Sequence, residues 1–262
     1  MAKFITIGER IHCISPVIRE AMNSKNPEPI LKRAKEQLDA GAVYLDLNIG
    51  PAESNGEDLM QWGVKLLQEN FDNVPIALDT ANKKAIEAGI RVYNRAKGKP
   101  IVNSADAGER IENIDLAAAN DAIVLALCSA EGVPGSVDER QAFCMEMLER
   151  GMEKGMDAAE DMWFDPLFLV IKGMQDKQKD VLDTIRWFAE QGFKSTGGLS
   201  NISNGMPKHI RPIMDSTMLA MCISAGLTSA IVNPNDLRLM ETVKSCDAIL
   251  NETLFADSYL EL

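Results

Sequence analysis

Positive charge is scarce in this chain. Its 262 residues carry 27 Lys and Arg against 39 Asp and Glu, a net charge of −12. So acidic a surface repels phosphate backbones and anionic lipid, which argues against general nucleic-acid or membrane-surface binding. Histidine is nearly absent: His12 and His209 are the only two, and they form no HExxH pair. The five Cys, at 13, 128, 144, 222 and 246, are odd in number and not closely spaced. That excludes a disulfide framework or a cysteine-based zinc site as the expectation and points to reduced thiols in a cytoplasm. No G-x-G-x-x-G phosphate turn occurs, and no apolar run approaches the ~20 residues of a membrane span. The opening MAKFITIGER is charged too early to read as a signal peptide.

What the chain has is a recurring stop. Apolar, β-branched runs end at an acid or amide in FITIGE (Glu9), VYLDLN (Asp46, Asn48), PIALD (Asp79), PIVN (Asn103), MWFD (Asp165), GLSN (Asn201) and AIVN (Asn233). One further run, AIVLAL, ends at Cys128 instead. Short runs of this kind read as buried parallel strands. They predict strands near 3–8, 43–48, 75–79, 100–103, 122–128, 161–165, 194–199 and 229–233. Helical patterns alternate with them near 27–42, 56–70, 82–98, 113–121, 137–156, 177–192, 216–226 and 235–250. Strand–helix units averaging about 33 residues match a (β/α)8 TIM barrel of ~250 residues. No linker or composition break divides the chain, so residues 1–262 read as a single domain. The tail NETLFADSYLEL is expected to cover the barrel surface as an irregular or strand-like segment.

In such a barrel the C-terminal strand ends converge on one mouth. Each polar stop has a plain alternative, because Asp and Asn after a strand commonly cap a helix or hold a turn. Asp79 in DTANKKA reads as an N-cap and Asn201 as a turn residue on that account. Capping alone does not require an acid or amide at seven strand ends. Ser200, beside Asn201, has no evident His partner. A mouth of carboxylates and amides, without metal ligands, suits a flat heterocycle presenting adjacent N–H donors and ring acceptors. A pterin presents such an edge, with an exocyclic amine beside a ring N–H.

The motifs TIGERI, LDLNIGP, ALDTAN, IVNSAD, FDPLFL and GLSNIS, in this order, resemble those of the methyltetrahydrofolate:corrinoid protein methyltransferases. These belong to the pterin-binding TIM-barrel group, with dihydropteroate synthase and the folate domain of cobalamin-dependent methionine synthase. The resemblance runs from Phe4 to about Tyr259. It implies that Asp165 takes the pterin amine and adjacent ring N–H. Asn103 would meet the pyrimidine edge, Asp79 the reduced ring's N–H, and Asn201 the N-5 that carries the methyl group, as the catalytic side chain. Glu9, Asp46 and Asn48 would line the mouth, with Ser200 and Arg211 as further candidates. The substrate would be tetrahydrofolate or its methyl derivative, the partner a corrinoid protein, and the assembly a homodimer. No protein-bound metal is expected.

Dihydropteroate synthase is the rival enzyme within the group. Its pattern places basic side chains straight after the Ser of the seventh-strand motif, for a pyrophosphate leaving group. Here GLSNISNGMP has no Lys or Arg before Lys208, which favours methyl transfer. A noncatalytic folate-binding subunit is the alternative from another class. At the first strand the family pattern is GER followed closely by Asn, and His12 stands there instead, either as a plain loop residue or as a contributor to the pterin site. Neither His follows an Asp by two positions, so the DxHxxG corrinoid-binding motif is absent and the corrinoid is expected on a separate protein. Two cation clusters, Lys172, Lys177 and Lys179, then Lys208, His209 and Arg211, are candidates for the anionic folate tail.

Overall fold

The computed structural model of the chain describes residues 3–52 and 54–259. Eight parallel strands form one sheet: β1 (Ile5–His12), β2 (Tyr44–Asn48), β3 (Ile76–Asp79), β4 (Ile101–Asp106), β5 (Ile123–Leu127), β6 (Met162–Asp165), β7 (Lys194–Ser195) and β8 (Ser229–Val232). Their order is β7-β6-β5-β4-β3-β2-β1-β8. The ends of that order meet. Gly198 bridges to Ile231, whose N–H donates to the Gly197 carbonyl at 2.9 Å. The Thr228 and Ser229 hydroxyls both donate to the Ser195 carbonyl, at 2.8 and 2.9 Å. The result is a nearly closed barrel, as the sequence predicts.

The described helices are α1 (Pro16–Ser24), α2 (Pro27–Asp39), α3 (Gly56–Asn70), α4 (Lys83–Val92), α5 (Glu112–Ala119), α6 (Val137–Glu153), α7 (Gln178–Glu190), α8 (Arg211–Ala225) and α9 (Leu237–Ile249). Helix α1 is an addition to the eight expected ones. Pro16 opens it with a preset φ, and Lys25 ends it in the left-handed region at φ 49°. The pattern over 82–98 divides. Helix α4 stops at Val92, and Asn94 then caps a separate 3-10 turn by accepting the Ala96 N–H at 3.1 Å.

Strand alternation sorts the core into layers. Ile7, Ala77, Ile101, Ile123, Leu125 and Trp163 fill the barrel, with Tyr44 and Ile231 packed against them. The intervening Leu45, Leu47, Ile76, Leu78, Val102, Val124 and Phe164 face the helices. Two residues beyond the barrel-filling positions, the inward series therefore arrives at Glu9, Asp46, Asp79, Asn103, Leu127, Asp165 and Asn233.

Three strand ends differ from expectation. Cys128 is fully buried in the outer layer, so Leu127, not Cys128, is the mouth residue of β5. In β1 the register against β2 shifts between Gly8 and Ile11. Beyond this bulge Ile11 packs outward with Leu47, and His12 lies beside Asn48. One strand thereby supplies two mouth residues, Glu9 and His12. Finally, β7 has only two residues, and Leu199–Ser203 is a 3-10 turn. Asn201 thus sits on a turn beyond the strand. In the tail, Leu254 and Phe255 are exposed, so these two apolar side chains do not pack on the barrel, and no strand forms over 250–259; residues 260–262 lie outside the described ones.

Candidate active site

The inward ends of β2, β3 and β4 form a hydrogen-bonded chain. Asn103 Nδ2 donates to Asp46 Oδ1 at 3.0 Å. Next to it, Asn48 Nδ2 donates to Asp79 Oδ2. Asn48 Oδ1 in turn accepts the Gly50 N–H at 3.0 Å, with the Cys13 thiol 3.6 Å away. Pairing of β2 with β3 and of β3 with β4 sets Asn48, Asp79 and Asn103 side by side at one level. Asp79 is not the cap of α4; Asn82 performs that task by accepting the Ala85 N–H.

Burial dominates the electrostatics. Asp46 is pushed well above the ordinary carboxylate range by burial first and then by the negative Asp79 beside it; the Asn103 amide opposes this. Asp79 is also raised, by burial, against the opposing hydrogen bonds of Asn48 and Asp46 and the charge of Arg110. Two carboxyls this close cannot both ionise cheaply, so burial and mutual repulsion favour one proton shared by the pair, with Asp46 the more strongly raised of the two. Across the mouth, burial pushes Asp165 up to about 7, opposed only by the Leu167 N–H, which donates to its Oδ1 at 2.8 Å. Among the described residues Asp165 has no counter-ion.

Space beside Asp165 is made by Gly197. A Cβ there would lie 2.4 Å from Phe168 Cδ2 and 2.8 Å from Asp165 Oδ1. Glu9 enters from β1 and accepts the Ser200 hydroxyl at 2.8 Å. Burial raises its pKa, while the Ser200 hydrogen bond and the charges of Arg10 and Arg211 lower it. Asn201 follows Ser200 on the 3-10 turn, exposed at the rim, with Asn204 Nδ2 3.4 Å from its Oδ1. His12 is half-buried, its pKa lowered by burial and by Arg10, and its Nδ1 has no partner among the described residues.

Some candidates have other tasks. Asn233 accepts the Asn235 N–H at 3.2 Å and so holds the turn after β8. Arg211 donates to Ser203 Oγ at 2.9 Å, bracing the Leu199–Ser203 turn from α8. One contributor escaped the sequence reading. Arg110 pairs with Asp106 at 2.7 Å and donates to Ser104 Oγ at 3.1 Å, placing a cation near Asp79. Its i,i+4 spacing from Asp106 was the available signal. Among the described residues no group of three His, Cys, Asp or Glu is arranged to hold a metal ion.

Residues 15–233 match the family described as pterin binding enzyme. The chain belongs to the pterin binding enzymes. Within curated relatives it is 24% identical to a methylcorrinoid:tetrahydrofolate methyltransferase of Eubacterium limosum, over 97% of this chain and 94% of that protein. It is 29% identical to the methionine synthase of Mycobacterium leprae (strain TN) over 89% of its own length but only 20% of that much longer protein. Among solved structures, the 7,8-dihydropteroate synthase of Vibrio fischeri ES114 superposes with a TM-score of 0.73 at 15% identity, covering 96% of this chain and 95% of that one. The last likeness is one of fold.

Proposed function

We propose that this chain transfers a methyl group between N-5 of tetrahydrofolate and the cobalt of a corrinoid carried on a separate protein. The observation that carries the reading is the frame of Asp79, Asn103 and Asp165, facing one mouth from three strand ends with hydrogen-bonding capacity to spare. Membership of the pterin binding enzymes and the 24% identical methylcorrinoid:tetrahydrofolate methyltransferase support it. Ser200 and Asn201 support methyl transfer over condensation, because no cation occupies the Leu199–Pro207 segment to hold a pyrophosphate.

In this reading Asp165 accepts the pterin amine and the adjacent ring N–H, Asn103 pairs with the pyrimidine edge, and Asp79 receives the reduced ring's N–H. Asn201 faces N-5. As the N–CH3 bond breaks, its electron pair stays on nitrogen, the methyl passes to cobalt(I), and a proton must reach N-5. An amide is not a general acid, so Asn201 stabilises the changing charge by hydrogen bonding while water delivers the proton. The reverse transfer uses the same contacts. The folate arm has a neighbour in the open cavity of about 930 Å³ between the loops after β6 and β7, lined by Ile171, Lys172, Gln175, Asp176, Met206 and Pro207. Lys172 is the member of its cluster suited to a glutamate carboxylate, since Lys177 donates to the Gly135 carbonyl and Lys179 pairs with Asp183.

The test is direct. The purified chain should bind tetrahydrofolate and convert cob(I)alamin to methylcobalamin from methyltetrahydrofolate, followed by the loss of cob(I)alamin absorbance. Binding without turnover would support a noncatalytic folate-binding subunit, and absence of binding would overturn the pterin reading.

A further inference from the structure

Arg140 is fully buried, the largest side chain in the described structure to be so. It lies in the first turn of α6, next to Asp138 and Glu139. The helix dipole favours those acids there and disfavours a cation, so helix stability does not account for Arg140. Burying its charge is also costly without close pairing. The carboxylate facing it, Asp180 on α7, stays 3.8 Å from Nη1, and Nη2 has no partner among the described residues. Its shorter bonds go to backbone instead. Nη1 donates to the Ser136 carbonyl at 3.2 Å, and Nε donates to the Pro166 carbonyl at 2.9 Å.

Pro166 is the residue after Asp165. The next residue, Leu167, adopts φ +65°, a left-handed conformation uncommon for a side chain of its size. From that position its N–H donates to Asp165 Oδ1. The turn Asp165–Pro166–Leu167 therefore aims the buried carboxylate, and one of its carbonyls is tied by a buried guanidinium from a different helix. We infer that Arg140 is a positioning residue that holds this turn in the shape which aims Asp165 at the pterin. The inference rests on the proposed role of Asp165.

Tetrahydrofolate affinity, measured by titration calorimetry, tests it. In Arg140→Met the loss should be about 10- to 100-fold, the range for a lost charge-assisted hydrogen bond. Arg140→Lys, which keeps one donor, should recover part of that loss. A control on the same helix, Met147→Ala, empties a fully buried site away from the turn, and its affinity should stay within about twofold while its melting temperature falls. In an Asp165→Asn background, Arg140→Met should cost little more, because it acts through Asp165. If Arg140→Met, or Arg140→Lys should the first not fold, binds as tightly as the unaltered chain, the proposal fails. An equal loss in the Asp165→Asn background, or in Met147→Ala, overturns it as well. Failure of the unaltered chain to bind tetrahydrofolate would instead remove the pterin reading itself, and this proposal with it.

Discussion

Ser200 donates its hydroxyl to Glu9 at 2.8 Å, across 191 positions of sequence. This bond joins β1 to the turn that follows β7, where the sheet is weakest. With β7 only two residues long, few backbone hydrogen bonds hold the Leu199–Ser203 turn. Ser200→Ala should therefore loosen Asn201 more than the pterin frame. We expect turnover to fall about tenfold with the KM for methyltetrahydrofolate nearly unchanged, in line with the loss of one buried hydrogen bond. Steady-state kinetics with cob(I)alamin would show it; a rise in KM alone would contradict it.

Asn201 itself should matter more to rate than to binding. Removing a preorganised donor facing developing charge typically costs ~10²–10³ in rate. Asn201→Ala should lose that much methyl transfer, while tetrahydrofolate affinity by calorimetry changes severalfold at most. Equal losses in both would assign Asn201 to binding.

Asp165 should make binding pH-dependent. Its pKa in the folded, empty protein is about 7, above that of an unfolded carboxylate, so the folded protein holds a proton that the unfolded chain has already lost. The empty protein should lose stability as pH rises from the carboxylate range through about 7. If pterin binding uses the Asp165 carboxylate, as proposed, it should strengthen over the same interval. Below pH 7 each unit should weaken tetrahydrofolate binding about tenfold, with proton release on binding measurable by calorimetry in buffers of different ionisation enthalpy. In Asp165→Asn the affinity should fall sharply and this pH dependence should vanish.

Gly197 is required by close approach. In Gly197→Ala the new methyl group would meet the Phe168 ring and the Asp165 carboxylate, both held in place. The expected cost is ~1–3 kcal/mol of stability, from overpacking. Pterin affinity should drop as well, because Asp165 must move. Chemical denaturation and calorimetry on the same sample would separate the two effects, and unchanged affinity would show that Asp165 has room to spare.

The barrel was legible because its strands are short apolar runs at regular spacing, each needing a helix to cover it. The mouth was legible for a related reason: strand alternation carries Ile7 to Glu9, Ala77 to Asp79, Ile101 to Asn103 and Trp163 to Asp165 without any long-range information. Where the reading slipped, a long-range contact decided. The β1 bulge is stabilised by Gln37 of α2, whose side-chain oxygen accepts the Arg10 N–H at 2.7 Å. The first strand, expected to end at residue 8, therefore runs on to His12, which the resemblance already marks as a candidate at the mouth. The outward turn of Cys128 follows from β5 ending one residue earlier, where Leu127 pairs with Asp165.

Residue order and periodicity alone determined that the chain is one acidic (β/α)8 barrel whose strand ends bear acids and amides, since those depend on local propensity and on the two-residue repeat of a strand. Only the tertiary structure decided which of those groups are already paired and which are not. Asp46 is engaged by Asn103, Asp79 by Asn48, Glu9 by Ser200 and Asn233 by its own turn, whereas Asp165 stands buried with a single backbone donor. Pairing depends on distances between strands and on the burial that raises each carboxyl's pKa, and these exist only once the barrel has closed.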